Sequence, residues 1–307
     1  MKILITGVRG FIGAALVRHL MRDNTYNNIE IYCLQRPGTQ INISGVWVIP
    51  LKVLSIAGFV DALSGYKFDY VFNLASYGVS RGDADLSHLI EGNISYLVYL
   101  IKGLEFAPRL IVNIGSCSEY GQVSGGIRVL ENTPPAPKTT YGAAKVASGI
   151  FATTLASECN YRLINLRLFG VYGEGEARQR LLPYVVRKLT SNEPVNLTSG
   201  LQVRDWLYID DVSSALVSLL SVNPEQIASK DSYNLCSGIG VTVRQVVERI
   251  CEELEKPTDL LRWGALQHTG EPSWLVGDPS AFYNETNWIP SISLNDGISK
   301  AVSYYAR

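Results

Sequence analysis

MKILITGVRGFIG, residues 1–13, decides the fold of this chain, because an apolar run that ends at Thr6 leads directly into a glycine-rich turn. The glycines follow the spacing GxxGxxG, and an amphipathic helical pattern over residues 14–21 comes next. A turn of this kind removes side chains, so that backbone N–H groups and the helix N-terminus meet a pyrophosphate. The stretch predicts a dinucleotide site, whose residues we expect to be Gly7, Arg9, Gly10, Phe11, Ile12 and Gly13.

Short apolar runs alternate with helix-length segments through the first half of the chain. Strands that are apolar throughout and separated by helices indicate a parallel sheet covered on both faces. The sequence therefore predicts an α/β fold with a Rossmann-type, doubly wound parallel sheet. The predicted strands are residues 2–6, 29–34, 70–74, 110–114 and 162–167.

Beyond residue 167 the pattern loosens into several glycines, a basic helical segment at residues 178–189 and a tail with prolines and tryptophans. We expect residues 1–167 to form a nucleotide-binding domain, to which residues 205–240 return. Residues 168–204 and 241–307 are expected to form a smaller C-terminal α/β lobe. Such a lobe lies over the carboxyl ends of the strands, where doubly wound sheets bind ligands.

The composition is typical of a folded protein and excludes several classes of function. Hydrophobic residues make up 47% and charged residues 18% of the 307 residues, far from the disordered class. A formal net charge of -1 gives no general attraction to nucleic acid or to anionic lipid. With no signal-peptide core and no stretch of transmembrane length, we expect a cytoplasmic protein. Five scattered cysteines and three histidines argue against a metal site.

The end of the second predicted strand indicates which dinucleotide binds. An enzyme that uses NAD usually has an acid about twenty residues beyond the glycine turn, where it binds the ribose hydroxyls. Here residues 33–37 read CLQRP, without an acid and with Arg36 close by. Arg9 lies inside the glycine turn, so both guanidinium groups can converge on a ribose 2′-phosphate. The sequence predicts NADPH/NADP⁺ as the cofactor.

A second motif supplies a candidate proton donor. Tyr141 and Lys145 lie four residues apart, so they project from one face of a helix. A neighbouring ammonium group stabilises the phenolate and lowers the pKa of the tyrosine, which makes Tyr141 a usable proton donor. Ser116 follows a predicted strand, and its hydroxyl can hydrogen-bond a substrate oxygen near Tyr141. The order of glycine turn, strand-end serine and YxxxK predicts a redox enzyme.

Three neighbours of Ser116 have two interpretations each. Cys117 and Tyr120 either face the substrate or pack into the interior, since both adjoin the predicted catalytic serine. Glu119 is either a solvated acid or an acid that binds its own loop.

Together these motifs resemble the extended short-chain dehydrogenase/reductase family, in its nucleotide-sugar-modifying branch. The resemblance implies that Ser116, Tyr141 and Lys145 are the catalytic triad. It extends over almost the whole chain through TGVRGFIG (6–13), NLAS (73–76), GSCSEYG (115–121), YGAAK (141–145), RLFGVYGEG (167–175), RDWLYIDDV (204–212) and NWIPSISLNDGI (287–298). The cofactor-binding residues that it adds to the glycine turn and Arg36 are Leu74, Ala75, Ser76, Asn93, Tyr141 and Lys145.

The same resemblance implies that the second lobe binds a nucleoside diphosphate sugar, with Arg204 near the diphosphate. A helix that carries Arg178 and Arg180 would border this pocket, or both arginines would form a solvated helix face. Many family members have an arginine before a Gly-Asp pair where this chain reads QHTGE at residues 267–271, so a diphosphate contact from this segment stays open. A homodimer through helices at residues 86–104 and 141–158 is also implied. The implied substrate contacts are Ser116, Cys117, Ser118, Arg180 and Arg204.

Departures from the family pattern narrow the reaction. The 4,6-dehydratases have a TDE motif where this chain has SCS at residues 116–118, so dehydration is not expected. Reductases that also epimerise have an extra cysteine and histidine, whereas position 118 is serine and residues 170–180 contain no histidine. The chain therefore most resembles the reductases that convert the 4-keto group of a nucleotide-linked 4-keto-6-deoxyhexose to an alcohol. The alternatives are a nucleotide-sugar epimerase that retains its cofactor and a non-catalytic NADP-sensing protein.

Overall fold

The structure of the protein is a computed structural model that describes residues 1–22, 28–79, 85–123, 125–267 and 272–307. Seven described strands form a central sheet in which every pair of neighbours is parallel, in the order β10-β6-β5-β4-β1-β2-β3. This arrangement confirms the predicted Rossmann-type, doubly wound sheet. Its strands are β1 (Lys2–Thr6), β2 (Glu30–Gln35), β3 (Val46–Pro50), β4 (Tyr70–Asn73), β5 (Leu110–Ser116), β6 (Leu163–Leu168) and β10 (Ser232–Leu235).

Helices cover both faces of the sheet, because its strands are apolar on both sides. Ile5 packs with Leu16 of the first helix on one face, and its neighbour Leu4 packs with Phe59 and Leu97 on the other. The helices are α1 (Phe11–Arg22), α2 (Ile56–Leu63), α3 (Leu86–Ile90), α4 (Tyr96–Gly103), α5 (Thr140–Glu158), α6 (Leu181–Thr190), α7 (Ile209–Ser218), α8 (Pro224–Ile227), α9 (Val243–Glu253), α10 (Ser280–Thr286) and α11 (Leu294–Tyr305).

The later part of the chain adds two smaller sheets and a second apolar core. Strand β9 pairs with β7, β11 and β13, and β8 pairs with β12. Buried side chains of α6, α9 and α11 pack together beside these strands. The strands are β7 (Gly170–Tyr172), β8 (Val195–Asn196), β9 (Val203–Tyr208), β11 (Gly240–Thr242), β12 (Leu261–Arg262) and β13 (Trp274–Leu275).

The five predicted strands match β1, β2, β4, β5 and β6, with ends that differ by at most two residues. Strands β3 and β10 were not predicted. Strand β3 does not fit the alternation of strands and helices, because it follows β2 without a described helix between them. Strand β10 does not fit the apolar pattern, because its sequence is SYNL. The predicted helix at residues 178–189 is wrong at its start, because α6 begins at Leu181.

A ladder of buried polar side chains crosses the sheet from β1 to β6. Thr6 donates a hydrogen bond to Asn73 at 2.8 Å, Asn73 donates to Asn113 at 2.9 Å, and Asn113 donates to Asn165 at 2.8 Å. These residues are register partners on adjacent strands. Asn165 also donates to Thr153 of α5 at 3.2 Å. The ladder fixes the relative register of four strands and ties them to α5.

No group of three or more His, Cys, Asp or Glu side chains in the described ranges is placed to hold a metal ion. Within the same ranges, none of the helices is both long enough and apolar enough to cross a bilayer. All five cysteines are free thiols, and Cys33, Cys236 and Cys251 are buried.

We predict that Asn113→Ala lowers the free energy of unfolding by about 2 to 4 kcal/mol, because it leaves the buried Asn73 amide nitrogen and Asn165 amide oxygen without the partners that Asn113 supplies. Asn196→Ala, at an exposed position on β8, is the matched control and is expected to change stability by less than about 0.5 kcal/mol. Urea unfolding of both variants checks the prediction. Equal stability of the two variants would contradict the role assigned to the ladder.

Candidate active site

The glycine turn connects β1 to α1 at the carboxyl edge of the sheet. Gly7 has φ +71°, and a Cβ there would lie 2.8 Å from the Leu74 carbonyl oxygen, so only glycine fits this position. The Gly10 N–H donates to the Gly7 carbonyl at 2.9 Å, and α1 begins at the next residue. Helix α1 therefore presents its first-turn N–H groups, which have no intrahelical acceptors, at the edge of the sheet where the predicted dinucleotide site lies.

Arg9 and Arg36 are brought to one loop. The Arg9 guanidinium donates to the Gln40 carbonyl at 3.3 Å, in the segment that follows β2. The Thr39 N–H donates to the Arg36 carbonyl at 3.2 Å, so Arg36 begins a turn in this same segment. Both arginine side chains are exposed. Arg9 of the glycine turn thus contacts the segment that Arg36 begins.

The loop after β4 is held by two buried side chains. The N–H groups of Leu74 and Ala75 both donate to the Thr6 hydroxyl at 3.1 Å. Asn93 accepts from the Ser76 hydroxyl at 2.8 Å and donates to the carbonyls of Tyr77 and Leu89 at 3.0 Å. The side chain of Asn93 thus positions the loop that follows β4.

A single π-helical turn places Asn93 opposite this loop. Residues Glu91–Ser95 form the π-helical turn between α3 and α4, and Asn93 is buried at its centre. Such turns interrupt regular helices mostly at functional sites. The sequence pattern of residues 86–104 gives no sign of the extra residue.

Ser116, Tyr141 and Lys145 lie together at the carboxyl end of β5. Ser116 is the last residue of that strand, and its hydroxyl accepts from the Ser118 N–H at 3.2 Å. The Tyr141 hydroxyl forms hydrogen bonds with the side chains of Ser116 and Ser76. The Lys145 Nζ lies 5.9 Å from the centre of the Tyr141 ring and donates to the Ile114 carbonyl at 2.9 Å.

Helix α5 begins one residue before Tyr141, and its cap explains why. The Thr139 hydroxyl accepts from the Gly142 N–H at 3.0 Å, which is the usual way in which threonine satisfies a helix N-terminus. Tyr141 and Lys145 therefore occupy the first two turns of a 19-residue helix, on one face.

Burial dominates the protonation of both groups. It raises the pKa of Tyr141 to about 12, although the hydrogen bonds with Ser76 and Ser116 oppose this rise. It lowers the pKa of Lys145 to about 8, and the negative charge of Glu119 opposes this fall. The expectation that Lys145 lowers the pKa of Tyr141 is therefore not met in this structure, because removal of the phenol from water has the larger effect.

A buried charge network lies directly behind Ser116. Glu119 accepts from the Ser116 N–H at 2.8 Å and from Arg167 Nε at 2.8 Å. Arg167 also donates to the Tyr120 hydroxyl at 3.0 Å, and that hydroxyl donates to Asn234 at 2.6 Å. Glu119 and Tyr120 are buried. Of their alternative interpretations, the structure supports an interior position for Tyr120 and a loop-binding role for Glu119, which is not solvated.

One local signal in the sequence points to this turn. Ser116 and Glu119 have the spacing of a capping box, in which a serine and an acid three residues later bind each other's backbone. The structure contains this arrangement at residues 117–119. The partner Arg167 lies 48 residues further along the chain, and no local pattern relates it to Glu119.

The predicted substrate residues are only partly brought together. Cys117 is half-buried, and burial raises the pKa of its thiol to about 12 while the nearby Arg204 guanidinium opposes this rise. Arg204 therefore faces the Ser116 turn, and its Nη1 donates to the Val203 carbonyl at 2.8 Å. Arg178 and Arg180 precede α6, and Arg180 forms an ion pair with Glu176 at 3.3 Å. Residues 268–271 of the QHTGE segment lie outside the described residues.

Comparison with protein families gives one match. The model of the NAD dependent epimerase/dehydratase family matches residues 3–236. This range includes the glycine turn, the Ser116 turn and the YxxxK helix.

Relatives along the full chain carry out different reactions. The dTDP-4-dehydro-6-deoxyglucose reductase of Escherichia coli is 28% identical over 331 residues, which cover 98% of this chain and 96% of the relative. The dTDP-glucose 4,6-dehydratase of Neisseria gonorrhoeae is 25% identical over 335 residues, which cover 99% of this chain and 95% of the relative. Similarity along the chain therefore does not distinguish a reductase from a dehydratase.

Solved structures share the fold along the whole chain. UDP-glucose 4-epimerase of Thermotoga maritima, solved with UDP-glucose, has a TM-score of 0.86 at 21% identity and covers 99% of this chain and 98% of its own. RMD from Pseudomonas aeruginosa, solved with NADPH, has a TM-score of 0.81 at 20% identity with coverage of 99% and 98%. These similarities confirm the fold.

Proposed function

The chain belongs to the NAD dependent epimerase/dehydratase family, and from this premise we propose that it is an NADPH-dependent 4-ketoreductase. Its proposed substrate is a nucleotide-linked 4-keto-6-deoxyhexose, and its product is the corresponding 6-deoxy sugar. The relative whose name states a reduction of a 4-dehydro-6-deoxy sugar nucleotide supports this choice.

The observation that carries the proposal is the chemistry of the Ser116 turn. Residues 116–118 supply a hydroxyl, a thiol and a hydroxyl, which suit hydrogen bonding to a ketone oxygen. Elimination of water from a sugar needs an acid and a base that are free to reach the substrate. The carboxylate of this turn, Glu119, is buried between Arg167 and the Ser116 N–H. The turn is therefore equipped for carbonyl reduction and not for dehydration.

The proposed reaction assigns one task to each residue. NADPH, when bound, supplies the hydride that adds to the ketone carbon. Tyr141 gives its phenolic proton to the ketone oxygen, so that the product is an alcohol. Ser116 donates a hydrogen bond to the same oxygen and holds it near Tyr141. Tyr141 then becomes a phenolate. The Lys145 ammonium stabilises this phenolate until solvent returns the proton.

The structure offers a suitable site for the cofactor. Gly7 and Gly10 bring bare backbone to the N-terminus of α1, which suits the negative charge of a pyrophosphate. Arg9 contacts the segment that follows β2, in which Arg36 lies, so we propose that both guanidinium groups bind the ribose phosphate. A dianionic ribose phosphate is the charge that such a pair recognises well. These features support NADPH as the preferred cofactor.

Arg36→Ala is expected to reduce the preference for NADPH over NADH roughly tenfold or more, because one charge-assisted hydrogen bond contributes about 1.5 to 3 kcal/mol. Arg18→Ala, which removes an exposed arginine on α1, is the control and should leave the preference unchanged. Dissociation constants of both cofactors, measured by fluorescence titration, test the prediction. If Arg36→Ala keeps the full preference, the assignment of the 2′-phosphate site fails.

Substrate-dependent oxidation of NADPH tests the reaction itself. A panel of 4-keto-6-deoxyhexoses on different nucleotides, each formed in place by a dehydratase, should contain a substrate for the wild-type protein. We predict that Tyr141→Phe lowers turnover by about 10²-fold or more and still binds NADPH, because the substitution removes only the phenolic hydroxyl. Tyr283→Phe, at an exposed position on α10, is the control. Full turnover by Tyr141→Phe would contradict the assigned proton donor.

We also propose that the protein is a homodimer formed through α3, α4 and α5. Large apolar side chains are exposed on these helices, among them Leu86, Ile90, Ile150 and Phe151. An exposed apolar surface of this kind marks an interface. Light scattering is expected to give twice the chain mass of 33.8 kDa, and Phe151→Glu should shift the value towards the monomer. A monomeric wild-type protein would overturn this proposal.

A further inference from the structure

Glu119 connects two groups that lie on two neighbouring strands, β5 and β6. One carboxylate oxygen accepts from the Ser116 N–H at the end of β5, and the other accepts from Arg167 Nε on β6, each at 2.8 Å. The first oxygen comes so close to the strand that a Cβ at position 115 would lie 2.5 Å from it, so glycine is needed there. The carboxylate is therefore held in one position by two hydrogen bonds and by packing.

Lys145 binds the same stretch of strand. Its Nζ donates to the Ile114 carbonyl at 2.9 Å, two residues before the N–H that Glu119 binds. Lys145 is buried, and a buried ammonium needs a compensating negative charge. The titratable and charged groups around Lys145 and Tyr141 are Cys117 and Glu119 on the turn and Arg167 on β6 behind Glu119. Of this set, Glu119 and Cys117 are the acids, and the Cys117 thiol stays neutral because burial raises its pKa to about 12.

We propose that Glu119 is a positioning residue for this site, which fixes Ser116 through its peptide N–H and supplies the negative charge beside the buried Lys145 ammonium. The inference rests on the proposed function, since it takes Ser116 and Lys145 as working parts of the reductase. Arg167 holds the Glu119 carboxylate in place, and Arg167 in turn donates hydrogen bonds to the Tyr120 hydroxyl and the Glu131 carbonyl. The network thus links the serine that orients the substrate to the lysine that stabilises the phenolate.

The negative charge of Glu119 determines the direction in which its removal shifts the pH profile of turnover. Burial already lowers the pKa of Lys145 to about 8, and Glu119 opposes that fall. Removal of the negative charge in Glu119→Gln therefore lowers the pKa of Lys145 further, so the ammonium is lost at a lower pH. Turnover should fall at the alkaline side of the pH profile earlier than in the wild type, while a merely structural role would scale the profile without moving it.

The test measures the pKa of the Lys145 side chain directly. ¹³C NMR of the protein with labelled lysine, with the signal assigned by its loss in Lys145→Arg, reports the pKa with or without turnover. In Glu119→Gln we expect this pKa to fall by about one unit. Glu131→Gln is the matched control, because the Glu131 carboxylate accepts from the Asn234 N–H and is not among the groups that shift Lys145. An unchanged Lys145 pKa in Glu119→Gln would overturn the inference.

A double variant keeps the inference testable if Glu119→Gln alone fails to fold. Glu119→Gln leaves Arg167 as an unpaired buried charge, whereas Glu119→Gln with Arg167→Met removes both charges. Because Arg167→Met also removes a positive charge, the Lys145 pKa should fall less in the double variant than in Glu119→Gln, and a larger fall would contradict the inference. Steady-state kinetics of Glu119→Leu with Arg167→Met, which leaves the Ser116 N–H without its acceptor, should show a kcat reduced roughly tenfold or more with NADPH affinity unchanged. If the wild type reduces no sugar in the panel, the proposed function fails, while the titration still decides the role of Glu119.

Discussion

The ladder of hydrogen bonds from Thr6 through Asn73 and Asn113 to Asn165 is the constraint on which the site depends. A parallel sheet that is apolar on both faces has little to prevent a slip in register, but a slip by one residue would separate each of these buried polar pairs. Because the ladder aligns β1, β4, β5 and β6, their carboxyl ends lie side by side. The loops that follow β1, β4 and β5 therefore meet at one edge, and the bond from Asn165 to Thr153 fixes α5 against them.

The second constraint is electrostatic. The edge of the sheet buries two cations, Lys145 and Arg167, and one carboxylate, Glu119. Burial of unpaired charges is costly, so the carboxylate between Arg167 and the backbone of the Ser116 turn stabilises the arrangement only as a unit. In the proposed 4-ketoreductase, the hydroxyls of Ser116 and Tyr141 bind the ketone oxygen, while this unit holds the turn that carries Ser116.

Local sequence patterns predicted five of the seven described strands of the central sheet, and the structure brings the predicted residues Ser116, Tyr141 and Lys145 together. Strand β1 and the glycine turn could be predicted because an apolar run followed by GxxGxxG has few other structures available. Long-range relations could not be predicted in this way: Arg167 meets Glu119 across 48 residues, and Asn73 meets Asn113 across 40. The start of α6 was predicted three residues early, because charged residues such as Arg178 fit a helix and a loop equally well. The capping box at Ser116 was visible in the sequence and would have indicated the buried position of Glu119.

The most direct test of the reductase is the fate of the hydride. A nucleotide-linked 4-keto-6-deoxyhexose that the protein accepts is treated with NADPH that carries deuterium at the transferred position, and the product is examined by NMR and mass spectrometry. A 4-ketoreductase places one deuterium on C4 of the sugar for each NADP⁺ formed. Conversion of the sugar without deuterium, and with NADPH unchanged, would contradict the account and indicate an epimerase that retains its cofactor.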